Sequence, residues 1–205
     1  LLALALAFSP QLDARADRSF AWHMAQHVIL MFVAVPLLLA SHPGVALLRA
    51  APKRVALRVV RWLHHPVIDR LTDPVWTWLT FTATLWIVHF SGLYEASLEH
   101  PLVHLLEHAL LAVAATLFWI PLVGGAGTRP MSHPARMLYI FLAIPQGAFI
   151  SMAILGAHHV IYPQYALAGL GDQRAAAALM WIGGGCVLFA AFLGTLGAWA
   201  ARERS

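Results

Sequence analysis

Residues 20–40 read FAWHMAQHVILMFVAVPLLLA, an uncharged run with His23, Met24 and His27 near its start and Pro36 near its end. A helix crosses the hydrocarbon core of a bilayer in about 20 residues, so Phe20–Ala40 is long enough to span. Lipid offers no partner to backbone N–H and C=O groups, and a run of this kind satisfies them as a helix. Four further runs share its character: Val75–Leu93, Leu102–Val123, Met137–Ile161 and Ala175–Ala200. None alternates apolar and polar residues as a barrel strand does. Leu1–Phe8 is apolar but too short to span, and is read as the tail of a truncated helix. The expected fold is all-α: a polytopic transmembrane helical bundle with five full spans plus a partial N-terminal one. Residues 1–205 are expected to form one bundle domain, truncated at its N-terminus.

The composition agrees. Of the 205 residues, 60% are hydrophobic and 11% charged, with mean hydropathy +0.73. Soluble domains carry about 25% charged residues, so this chain cannot clothe itself in a polar surface. The formal charge of +4 leaves too few solvated residues for a nucleic-acid face; the expected partner is the lipid bilayer. Cys186 is the single cysteine, which excludes an internal disulfide and any multi-cysteine metal site. It is read as a small packing residue. Pro36, Pro121 and Pro145 are read as kinks or ends of spans. Gly183, Gly184, Gly185, Gly194 and Gly197 give the last span a small-residue face for close packing.

Orientation follows from the basic residues. Arg49, Lys53, Arg54, Arg58, Arg61, Arg70, Arg129, Arg136, Arg202 and Arg204 fall on one side of the five spans, and only Arg15, Arg18 and Arg174 on the other. The positive-inside rule assigns the basic side to the cytoplasm, so the C-terminus is expected inside. The basic, partly amphipathic stretch Ala51–His64 is expected to lie on the inner leaflet.

The histidines then sort unevenly. His42, His64, His65 and His133 are read as ordinary interfacial residues on the cytoplasmic side. His23, His27, His89, His100, His104, His108, His158 and His159 fall on the outer side, from four helices. His23 and His27 are four residues apart, and His100, His104 and His108 repeat that spacing, so each set shares a helix face. At about 1.5 Å per residue, His27 and His108 lie roughly 10 Å below the outer boundary. Polar groups within lipid are costly, and a set of imidazoles at one depth points to a metal ion. Imidazole suits zinc, copper, iron and nickel, while thioether sulfur favours Cu(I). Met24, Met152 and Met180, all in outer halves, therefore tilt the choice toward Cu(I). Zinc stays open because His104-Leu105-Leu106-Glu107-His108 matches the His-x-x-Glu-His pattern of zinc proteases, in which Glu is the base. His158 and His159, beside Tyr162, are accessory candidates; His100 lies too close to the loop to bind.

These residues, in their order, resemble the CtaG-type cytochrome c oxidase assembly factors, multi-pass membrane proteins of bacteria. The resemblance covers nearly the whole chain: His23-Met24-Ala25-Gln26-His27 and its apolar run; His89 and Tyr94; His104, Glu107 and His108 on a helix closed by Phe118-Trp119-Ile120-Pro121-Leu122; Tyr162-Pro163-Gln164-Tyr165; and Asp172-Gln173 with Met180-Trp181. Membership implies about seven spans, a cytochrome c oxidase subunit as partner, the bacterial cytoplasmic membrane as location, and copper supplied to or retained for the CuB centre. It implies His23, His27, His89, His104 and His108 as ligands, with Glu107 and Asp172 as supporting or proton-accepting groups.

The expected function is thus a copper-binding, non-catalytic assembly factor with its site facing the periplasm. No nucleophile, oxyanion-donor pair or phosphate loop is evident. Three alternatives remain: a copper permease, a b-type haem protein with His27 and His108 as axial ligands, and an intramembrane zinc hydrolase built on His104, Glu107 and His108.

Overall fold

A computed structural model describes residues 2–124 and 131–204. Arg129, counted above on the basic side, lies outside them. The described residues are helical with no strand. Two short helices, α1 (Leu2–Ala7) and α2 (Pro10–Ala16), lead into α3 (Phe20–Val28). A π-helical segment, Ile29–Ala34, joins α3 to α4 (Val35–Ala40). The chain turns at Ser41 and His42 into α5 (Pro43–Ala50), α6 (Lys53–Leu63) and α7 (Pro66–Leu71). Then come α8 (Pro74–Phe90), α9 (Leu93–Glu99), α10 (Pro101–Val123) and α11 (His133–Leu155). The last elements are α12 (Gly169–Leu179), a second π segment at Met180–Gly184, and α13 (Gly185–Arg202).

Among the described residues, four stretches are long and apolar enough to cross a membrane: Phe20–Ala50, Pro101–Val123, His133–Leu155 and Gly169–Arg202. The expected count of five is not confirmed. The run expected at Val75–Leu93 forms α8, which is only 17 residues long because Ser91 and then Gly92, at φ 75°, end it. The run expected at Met137–Ile161 starts earlier, at His133, and stops at Leu155, before Gly156. His158 and His159 are therefore exposed on an irregular segment and not on a helix.

Local chemistry explains the starts. Asp73 and Ser132 accept hydrogen bonds from the backbone N–H groups of Val75 and Ala135, and Pro74 and Pro134 occupy the first turns where a missing N–H does no harm. Large apolar side chains then face outward along α10 and α11, among them Leu105, Leu106, Val113, Leu138, Phe141 and Phe149. Inside, α10 packs against both α8 and α4. Phe118 stacks on Phe81 and on Tyr139, with ring centroids 4.5 and 5.0 Å apart. Of the five glycines expected to form a packing face, Gly183 meets Val28 and Gly184 meets Phe32, whereas Gly185, Gly194 and Gly197 have open space where a side chain would go. Cys186 is exposed on the outer surface of α13.

Helix α6 has no buried residue. Arg54, Arg58 and Arg61 share one face, and Val55, Val59, Trp62 and Leu63 lie on another, the pattern of a helix resting on a membrane surface.

Pro36 explains a cross-bundle tie. In the first π segment Val35 N–H donates to the Leu30 carbonyl; the next bond of that series, to the Met31 carbonyl, would need an N–H that Pro36 lacks. The Trp119 indole N–H on α10 donates to the Met31 carbonyl instead, at 2.9 Å. A Trp119→Phe variant removes this donor and leaves a buried carbonyl unpaired. It is expected to lower unfolding stability in detergent by about 1–2 kcal/mol, as read by denaturant titration followed by circular dichroism.

Candidate metal centre

The first span runs parallel to α10, and side chains of α3 reach across to it, His23 beside His104 and His27 beside His108, with ring centroids 5.2 and 4.9 Å apart. The buried stripe of α3 runs Phe20, His23, Met24, His27; that of α10 runs Glu107, His108, Leu111, Ala114, Ala115, Phe118. Helical periodicity thus places His23 and His27 on the inward face of α3, and Glu107 and His108 at the top of the α10 stripe with apolar residues below. One donor atom from each of His23, His104, Glu107 and His108 falls within 4.8 Å of the other three. His27 adjoins them: its Nε2 is 3.6 Å from Glu107 Oε1, and His23 Nε2 is 3.8 Å from Oε2. His23, His27, Glu107 and His108 are each 3% exposed or less.

Hydrogen bonding fixes which nitrogens are free. His108 Nδ1 contacts the His104 carbonyl at 3.1 Å, and His89 Nδ1 the Leu85 carbonyl at 2.7 Å. A carbonyl only accepts, so each Nδ1 carries the proton and each Nε2 keeps its lone pair. His23 Nδ1 is 2.9 Å from the Tyr165 hydroxyl, which donates its own proton to the Ala16 carbonyl at 2.9 Å. Tyr165 must therefore accept from His23, and His23 Nε2 is likewise unprotonated. Burial pushes the Tyr94, Tyr162 and Tyr165 hydroxyls above the ordinary tyrosine range, so Tyr165 keeps this role at neutral pH. Among the described residues, Nε2 of His23, His27, His89, His104 and His108 and both oxygens of Glu107 have no hydrogen-bond partner. Buried polar atoms left in this way are destabilising by about 1–3 kcal/mol each. Three imidazole nitrogens and a carboxylate oxygen at these separations suit a borderline transition-metal ion. Nδ1 protons tied to carbonyl or hydroxyl oxygens are the support such ligands need.

The other sequence candidates are placed differently. His89 is buried on α8 and stacks on Tyr94, whose hydroxyl lies 3.4 Å from that of Tyr165, but it stands outside the four-residue group. With His27, Met24 and Met180 it lines an adjoining cavity of about 40 Å3. Met152 is 54% exposed and faces outward. Asp172 is not set against a ring. Its carboxylate accepts from Ser19 Oγ at 2.6 Å and from the Phe20 and Ala21 amides at 2.7 and 3.3 Å, so it caps α3 and binds α12 to it. Asp172 thereby positions His23 and His27 through their helix.

Three residues that shape the site were not read as site residues. Tyr165 orients His23, and the single 3-10 turn Pro163–Tyr165 that carries it gave no periodicity to follow. Asp13 and Gln26 line, with His104 and His108, an open groove of about 150 Å3 that reaches the cluster from outside. Gln26 lies between His23 and His27, and being fully buried it spends its amide on the Ala7 carbonyl and Asp13.

The chain is similar to several proteins of mycobacteria. An uncharacterized protein of Mycobacterium bovis is 30% identical over 162 residues, 74% of this chain, as is one of Mycobacterium tuberculosis. One of Mycobacterium leprae is 29% identical over 163 residues. The matched region makes up about a quarter of the length of these curated relatives. No solved structure matches the chain. The family model for the cytochrome c oxidase caa3 assembly factor matches residues 1–202, and the chain belongs to that family.

Proposed function

We propose that this protein binds copper as cargo at His23, His104, Glu107 and His108 and supplies it to, or retains it for, the CuB centre of cytochrome c oxidase. The observation that carries the reading is the convergence of four metal-competent donors, buried and without other partners, from two helices. The family supplies the oxidase and points to a non-catalytic role. The protein resides in the bacterial cytoplasmic membrane with an oxidase subunit as partner. The cluster faces the periplasm and the C-terminus the cytoplasm, a placement supported by the basic residues gathered at the far ends of the spans. The groove lined by Asp13 and Gln26 gives an ion a route in, and Asp13 supplies the negative charge that attracts it.

The alternatives fare less well. A permease needs polar side chains continuing through the membrane, but below the cluster stand Phe32, Phe81 and Phe118. A haem between His27 and His108 needs space for a macrocycle, and the adjoining 40 Å3 cavity holds about one or two waters. The zinc reading keeps one specific observation: the His104-x-x-Glu107-His108 triad does converge. Metal competition separates it from copper. A zinc hydrolase retains zinc against copper and loses turnover in Glu107→Gln, whereas a copper carrier exchanges zinc for copper.

Two measurements test the proposal. In purified full-length protein, His104→Ala, His108→Ala and Glu107→Gln each remove one bound equivalent of copper, and cells carrying them make oxidase deficient in CuB copper. Unchanged copper content in all three variants sinks the reading. Tyr165→Phe, which leaves every ligand in place, is expected to weaken copper binding by about 10–100-fold without changing stoichiometry, as read by chelator competition.

A further inference from the structure

The four-donor cluster accounts for the nitrogen and oxygen ligands but not for the methionines. Met24 is fully buried in the core and Met180, half-buried, packs against it. Both line the cavity of about 40 Å3 on the other side of His27, together with Met31 and His89. The rings of His27 and His89, 1% and 4% exposed, border it, and among the described residues His27 Nδ1 and His89 Nε2 are buried without hydrogen-bond partners. Unpartnered imidazoles and thioethers around one small void form a donor set distinct from that of the cluster.

We infer that His27, His89, Met24 and Met180 form a second station, selective for Cu(I), directly beside the first; the inference rests on the copper reading above. Size permits it. A void holds a water once it offers about 10–15 Å3, so 40 Å3 admits one ion without a hydration shell. Charge favours a monovalent ion. The cavity has no acidic residue in its described lining, and Phe81, Leu85 and Ile150 make it apolar. The desolvation penalty of an ion rises with the square of its charge, so a divalent ion is excluded more strongly than Cu(I). Ligand softness points the same way, since thioether and imidazole together select Cu(I) over zinc. The first station offers a carboxylate oxygen and no thioether, a donor set that also accepts a divalent ion. His27 belongs to both walls: its Nε2 is 3.6 Å from Glu107, and its ring borders the cavity. An ion passes between the stations by exchanging ligands around His27, keeping its oxidation state and needing no electron donor.

The test uses the full chain in detergent under anaerobic, reducing conditions, titrated with Cu(I) against a chromogenic chelator and separately with Zn(II). The wild type is expected to take two equivalents of Cu(I) and one of Zn(II), and X-ray absorption of the Cu(I)-loaded protein to show sulfur scattering. The double variant Met24→Leu, Met180→Leu, which conserves side-chain volume, takes one Cu(I), keeps its Zn(II), and loses the sulfur signal. Met152→Leu, at an outward-facing methionine, changes nothing. A wild type that binds a single Cu(I), a double variant that still binds two, or a wild-type spectrum without sulfur overturns the second station while leaving the first intact. Glu107→Gln separates the two ideas. It costs one equivalent if the cluster binds copper; if it costs none, the copper reading falls and the second station with it.

Discussion

A nitrogen or carboxylate oxygen taken out of water without a partner destabilises a fold, and among the described residues this bundle gathers eight such atoms on five histidines and Glu107. The surrounding structure holds them there. Ser19 and Asp172 anchor the first turn of α3, Tyr165 fixes the His23 ring, and backbone carbonyls fix those of His89 and His108. Below, stacked aromatic rings and the Trp119–Met31 bond keep α10 against the first span. Rotating either helix by one residue, about 100°, would carry its polar residues off the shared face. The register of α3 against α10 is therefore what the site depends on.

Much of this was legible in the sequence. The spacing of His23 with His27 and of His104 with His108 is a helical period, so each pair had to share a face. The hydropathy of residues 20–40 and 102–123 required spans. That the two faces meet was not legible, because nothing in one dimension says which helices are neighbours. The same limit concealed Tyr165 and Asp13, which come from irregular or short elements far away in the chain. Nor was the capping role of Asp172 legible, since a separation of 153 residues from Ser19 leaves no local trace of the bond.

The fifth span is not confirmed for a different reason. Hydropathy averages across Ser91 and Gly92, while the backbone stops at them, since Gly92 takes a left-handed conformation that ends the helix. Likewise the apolar run through Ile161 conceals the helix end at Gly156. In both places backbone geometry overrules composition, and His158 and His159 were assigned to a helix on that account.

The parallel course of α3 and α10 has an electrostatic consequence. Both helices start at the cluster, so the positive ends of two macrodipoles point toward it. Each disfavours a cation near it by about 0.3–1 kcal/mol, and more where solvent is excluded. Glu107 in the second turn of α10 and Asp172 at the start of α3 offset this only in part. The same ligands mounted at the opposite helix ends would grip an ion more firmly.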